Sequence, residues 1–183
     1  PPPGLLRRQR QMCIRDRGKK DEFVNLFVEK TKKLKIGDGM DPSTQLGPLT
    51  TKKRLNEIEE LVEKTKQEGA KVLLGGKRPA GFNKGFFYEP TVFDNVKDNF
   101  TIMKQEPFGP LVPMLSFKSF DEVIERANNH ELGLSSYICT NSMEKAHKAS
   151  ELMETGTVAV NTPLVAIAEA PFGGIKQAGY GRE

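Results

Sequence analysis

Apolar positions along this chain recur with two different periods, and the changes from one to the other mark out its elements. Phe23, Leu26, Phe27, Thr31 and Leu34 fall three or four residues apart, the spacing that places side chains on one face of a helix. Asp21 is the expected cap and Gly37 ends the run. After a turn-rich stretch from Gly37 to Gly47, Leu55, Ile58, Leu61, Val62 and Thr65 predict a second helix, stopped by Gly69. Ala70 to Leu74 and Phe86 to Val96 predict strands, divided by the loop Arg78-Pro79-Ala80-Gly81. Leu111 to Phe117 predicts another strand. Beyond it follow a helix capped by Ser119 and running to Asn128, a strand over Ser136 to Thr140, a helix over Ser142 to Met153 and a strand over Thr157 to Asn161. Strands alternating with helices predict an α/β fold with crossover connections and a largely parallel sheet covered on both faces. No repeat or internal linker follows Lys20, so residues 20–183 are expected to form a single domain.

Composition narrows the class without naming a chemistry. With 37% hydrophobic and 28% charged residues in 183, the chain has the make-up of a globular protein rather than a fibrous or disordered one. It has no apolar run long enough to predict a membrane span. The net charge of +4 would suggest nucleic acid if it formed a stripe on a folded face. It is instead concentrated at the start, where Arg7, Arg8, Arg10, Arg15, Arg17, Lys19 and Lys20 face Asp16 alone, and the rest of the chain is slightly acidic. Neither nucleic acid nor membrane is expected as a partner. Cys13 and Cys139 are the only cysteines and fit no disulfide framework or zinc spacing, so a reducing, cytoplasmic compartment is expected.

Most candidate chemistry reads as ordinary surface. His130 and His147 have no metal partner at useful spacing, and Glu57, Glu59, Glu60 and Glu63 form the solvated face of a helix. The Gly-rich segments at Gly75, Gly173 and Gly179 do not fit a phosphate-binding loop. Two segments stand apart. Glu106-Pro107-Phe108-Gly109-Pro110 sets a carboxylate two residues from an aromatic ring on a stiff backbone, a pairing suited to ribose hydroxyls and a flat heterocycle. Asn161 to Glu183 joins a strand end, a long apolar loop and a Gly-rich turn, a way to wall a small-molecule pocket.

These two segments, together with Gly156-Thr157-Val158-Ala159-Val160-Asn161, resemble the aldehyde dehydrogenase superfamily in residues, order and spacing. Gly47-Pro48-Leu49, Leu74-Gly75-Gly76, Tyr88-Glu89-Pro90-Thr91-Val92 and Ala127-Asn128 support the resemblance, which covers the chain from about residue 20 to its end. It implies NAD or NADP as cofactor, a small-molecule aldehyde as substrate and a homo-oligomeric parent protein. In such enzymes a Cys thiolate attacks the aldehyde, the thiohemiacetal passes hydride to a nicotinamide, and a Glu-activated water releases the acid. Carried over, Glu106 would bind the nicotinamide ribose, Phe108 would pack near the nicotinamide, and Phe172 with Leu164, Ala166 and Ile167 would line the aldehyde pocket. Ala168 to Phe172 is most similar to the succinate-semialdehyde dehydrogenase branch. That branch usually offers Ser or Asn to the substrate carboxylate where Ala166 and Ile167 stand here, so a less polar aldehyde is the open alternative.

No catalytic residue is assigned in this chain. Gln11-Met12-Cys13 imitates the nucleophile segment, yet Cys13 lies too close to Phe23 for the strand that intervenes in the family. Residues 11–17 match one reading frame of a transposon-type sequencing-adapter end, and residues 1–19 are expected to be a non-native or disordered tail. The expectation is a C-terminal catalytic-domain fragment, inactive by itself. The competing reading is a non-catalytic module with at most weak nucleotide binding or an interface role.

Overall fold

The computed structural model describes residues 13–182, with residues 13–17 described by their backbone alone. The chain divides after Phe117 into two compact units. No linker marks the division, because the last strand of the first unit runs directly into the capped helix that begins the second.

The first unit is built on a four-stranded sheet. Its strands are β1 (Cys13–Asp16), β2 (Lys71–Leu74), β3 (Thr91–Asp94) and β4 (Leu111–Phe117), in the order β1-β4-β3-β2. Both β1 and β3 run parallel to β4, whereas β2 is antiparallel to β3. The sheet separates two helices, α1 (Lys20–Lys32) and α2 (Lys52–Gln67). Alternation along the strands sorts the two cores. Phe93, Leu111 and Leu115 cluster with Leu55, Ile58, Leu61 and Val62 of α2, while Val92 and Met114 cluster with Val24 of α1. Each fully buried aliphatic or aromatic side chain contributes roughly 1.5–3 kcal/mol. Pro113 is tolerated inside β4 because it pairs with Phe93 of β3, while pairing with β1 begins only at Met114, so its missing N–H costs less than in a strand paired on both sides.

The α2 stripe is the one the sequence predicts, with Thr51 as cap accepting the Arg54 N–H. Helix α1 differs. It follows a 3-10 turn, lacks a side-chain cap at Lys19 and ends at Lys32. Asp21 is therefore in the first turn rather than the cap, and Leu34 lies beyond the helix. The buried stripe is Val24 flanked by Phe23, Phe27 and Val28, leaving Leu26 51% exposed. The strand expected over Phe86 to Val96 shrinks to β3. Phe87 and Tyr88 are buried outside the ladder, and Pro90 lacks the donor that pairing needs.

The second unit contains α3 (Phe120–Asn128), β5 (Leu132–Gly133), β6 (Ser135–Ile138), α4 (Met143–Leu152), β7 (Thr157–Val160) and β8 (Ile175–Lys176). Strands β6 and β7 pair in parallel across the α4 crossover, and β5 pairs antiparallel with β8. Ser119 and Ser142 cap the two helices by accepting from Glu122 N–H and Lys145 N–H. Glu122 in turn accepts the Lys118 N–H at 2.9 Å and pairs with Arg126, a variant of the capping box. The core is small: Leu134, Ala146, Ala149 and Ala159. The segment expected to lie in a tail supplies β1, whose backbone pairs from Cys13 with Met114 to Asp16 with Phe117. Among the described residues no helix is long and apolar enough to cross a membrane.

Candidate functional site

In the first unit, helix α2 holds the Glu106 loop from both of its ends. At the helix C-terminus, the Glu68 carboxylate accepts the Thr101 N–H at 2.8 Å and the Thr101 hydroxyl at 2.7 Å. Burial works against the Glu68 charge, but the two Thr101 bonds, with Lys64 and Lys104 nearby, hold its pKa below the usual carboxylate value. The 3-10 turn Thr101–Met103 that begins there sinks Ile102 and Met103 into the core at 1% exposure each. Near the helix N-terminus, the Arg54 guanidinium lies 5.5 Å from the centre of the Phe108 ring and pairs with Glu57 at 2.7 Å. One turn on, Ile58 lies so close to Gly109 that a Cβ there would press on its Cδ1.

The loop backbone is fixed as firmly as its ends. Pro107 is buried, the Pro110 carbonyl accepts the Thr91 N–H at 2.7 Å, and the Gly109 carbonyl accepts the Leu111 N–H at 2.8 Å. Phe108 has a φ of 40°, a left-handed conformation costing a bulky residue of order 1–3 kcal/mol. The result is a half-buried Glu106 whose Oε1 is shielded from solvent, two residues from Phe108, which is 37% exposed. This pair of groups suits the ribose end of a dinucleotide: an acceptor for hydroxyls and an open face for a flat ring.

In the second unit, the apolar loop begins at a clamp. Asn161, with a φ of 57°, donates from its own N–H to the Ile138 carbonyl at 2.8 Å. Its Oδ1 accepts the Thr140 N–H and its Nδ2 donates to the Thr140 carbonyl, each at 2.9 Å. The far end is tied down by Lys176 and Arg182. Lys176 Nζ donates to the carbonyls of Asn128 at 2.7 Å and His130 at 3.1 Å and pairs with Glu154 at 2.5 Å. Arg182 donates to the Gly174 carbonyl at 3.1 Å. Gly156 and Gly173 approach so closely that a side chain on Gly156 would collide with the Gly173 carbonyl. Between these anchors Leu164 is 68% and Ile167 51% exposed, Ala166 is exposed and Phe172 is half-buried.

The predicted site residues thus fall in two sets, Glu106 and Phe108 in one unit and Leu164, Ala166, Ile167 and Phe172 in the other. A wide, solvent-open hollow of about 890 Å³ in the second unit is lined by Glu131, residues 174–177 and residues 179–182 and includes none of the predicted pocket residues. The backbone of Cys13 lies in β1. Cys139 is free and exposed. Among the described residues no group of His, Cys, Asp and Glu could hold a metal ion. His130 Nδ1 accepts the Leu132 N–H at 3.0 Å, and His147 faces Glu151 on an exposed helix surface.

Two features had escaped the sequence. The Asn161 clamp depends on strand pairing that spacing does not reveal. Arg54 had a faint signal: with Lys52 and Lys53 it puts three cations and no acid in a helical first turn, the end that favours anions.

The aldehyde dehydrogenase family profile matches residues 10–183, beginning ahead of the segment where the sequence resemblance starts. Retinal dehydrogenase 2 of Homo sapiens is 47% identical over 163 residues, which cover 89% of this chain and 31% of that protein. Among solved structures, an NAD+ complex of an aldehyde dehydrogenase from Bacillus cereus superposes with a TM-score of 0.90 at 40% identity, covering 94% of this chain and 35% of that one. Succinate-semialdehyde dehydrogenase from Burkholderia pseudomallei gives 0.88 at 35% identity, covering 92% of this chain and 35% of that one. The chain spans about a third of the length of these relatives. With a family match across nearly its whole length and the Glu106 and Asn161 segments built as described, the chain belongs to the aldehyde dehydrogenase family.

Proposed function

We propose that the protein containing this segment oxidises an aldehyde to its carboxylate with NAD or NADP, and that the segment supplies cofactor and substrate contacts rather than the nucleophile. One observation carries the reading. A loop fixed at both ends by one helix sets a half-buried carboxylate two residues from an exposed Phe108. When bound, the nicotinamide supplies the hydride acceptor. Glu106 accepts from the ribose hydroxyls, and Phe108 packs on the flat ring. Aldehyde, water and oxidised cofactor are consumed; carboxylate, reduced cofactor and protons are released.

The aldehyde contacts come from Leu164, Ala166, Ile167 and Phe172. Between Thr162 and Ala170 the polar side-chain groups are the Thr162 hydroxyl and the Glu169 carboxylate. An acid there repels rather than binds a substrate carboxylate. This supports an uncharged, apolar aldehyde ahead of the semialdehyde expected from Ala168 to Phe172. The proposed form is a cytoplasmic homo-oligomer, and the segment alone is inactive, with Cys13 playing no part. The test is a panel of apolar aldehydes and semialdehydes offered to the full-length gene product with NAD and with NADP. A kcat/KM preference for the semialdehyde restores that substrate, and no turnover of any aldehyde refutes the function.

A further inference from the structure

We propose that Arg54 is a positioning residue for the cofactor: its guanidinium braces the Phe108 ring, and the ring so held sets how tightly the nicotinamide end is bound. The inference rests on the reading of Phe108 as the nicotinamide contact.

Three observations carry it. Arg54 is 5.5 Å from the Phe108 ring centre, within the range at which a cation is drawn to an aromatic face. Arg54 and Ile58 are four apart on α2, one above the other on the same face, and they meet successive loop residues, Phe108 and Gly109. That face of the helix is therefore fitted to the loop at two points. Finally, the helix gains little from a cation at this position. Its first turn already carries Lys52 and Lys53 without an acid, which the helix dipole disfavours, and Glu57 only partly offsets it as a half-exposed partner.

Phe108 needs such a brace. It has a left-handed backbone and is 37% exposed, so core packing alone does not enclose its ring. A ring free to swing loses entropy when a ligand stacks on it; a ring already held does not.

The experiment uses the full-length gene product with four variants: Arg54→Met, Arg54→Lys, Phe108→Leu and the Arg54→Met/Phe108→Leu double. Lys53→Met is the control for loss of a neighbouring cation. Cofactor Kd is read from the fluorescence of bound reduced nicotinamide, alongside the KM for oxidised cofactor, kcat and Tm. Arg54→Met is expected to raise Kd and KM about three- to five-fold, with kcat and Tm unchanged. Arg54→Lys restores most of the loss, Lys53→Met has no effect, and the double variant binds no worse than Phe108→Leu alone. Independent, multiplying effects of the two substitutions overturn the proposal, as does unchanged binding in Arg54→Met where Phe108→Leu weakens it. Unchanged binding in Phe108→Leu itself overturns both this proposal and the nicotinamide role of Phe108.

Discussion

Asn161 closes both main-chain groups of Thr140, accepting its N–H and donating to its carbonyl at 2.9 Å. Twenty-one positions apart in sequence, the two residues lock the ends of β6 and β7 where the apolar loop departs. Because Asn161 has a positive φ, Asn161→Gly keeps the backbone geometry and removes only the clamp. The bonds are exposed, so the loss is about 1 kcal/mol. Hydrogen exchange is expected to accelerate at Thr140 while the Asn161 N–H bond to Ile138 stays protected. Unchanged exchange at Thr140 would show that the clamp is ornamental.

The Glu68 contact with Thr101 makes the start of the cofactor loop sensitive to acid. Its folded-state pKa is lowered from 4.5, so its contribution is fully present above that pH and is lost as pH falls through the depressed value. Protection of the Thr101 amide is expected to hold above pH 4.5 and to drop below it. Glu68→Gln, which still offers an acceptor, is expected to flatten the dependence. A profile identical in both proteins would assign the acid sensitivity elsewhere.

Gly109 bears directly on Ile58, a residue only 1% exposed. Gly109→Ala forces a methyl group into that contact, and overpacking of this kind costs about 1–3 kcal/mol. The expected result is a lowered Tm together with weaker cofactor binding, because the loop must lift from α2. Pairing it with Ile58→Val, which frees space, is expected to recover part of both losses; a purely additive double variant would contradict the contact.

Specificity is expected to respond to the exposed middle of the apolar loop. Ala166→Ser combined with Ile167→Asn supplies polar groups for a substrate carboxylate. The ratio of kcat/KM for an apolar aldehyde over a semialdehyde is expected to fall by about ten-fold or more. An unchanged ratio would place the aldehyde away from these residues.

Legibility of the fold tracked the strength of each local signal. The α2 stripe from Leu55 to Thr65 was readable because every member is buried and Thr51 caps the helix. The end of α1 was not, since Leu34 continues the spacing after the helix has stopped at Lys32. Phe86 to Tyr88 looks like strand by residue type yet lies outside the ladder, ahead of Pro90, with Phe87 and Tyr88 buried. Strands β5 and β8 have two residues each, too few to express a period. At the site, Glu106 and Phe108 stood out because Pro and Gly punctuate them, and the structure gives them a common backbone frame. The brace at Arg54 lies far from Phe108 along the chain and exists only once α2 packs beneath the loop. Gly156, Lys176 and Arg182 had been part of a recognisable pattern; their bonds and close approaches show them to be anchors of the backbone around the loop.

The most direct test is the rate at which the full-length gene product forms reduced nicotinamide from an apolar aldehyde, measured for the wild type and for Glu106→Gln across a range of NAD and NADP. The account predicts turnover in the wild type and a cofactor KM raised about ten-fold by Glu106→Gln, the cost of replacing a charged acceptor at a hydroxyl pair. An identical cofactor KM in the two proteins, or no reduced nicotinamide from any aldehyde, would contradict it.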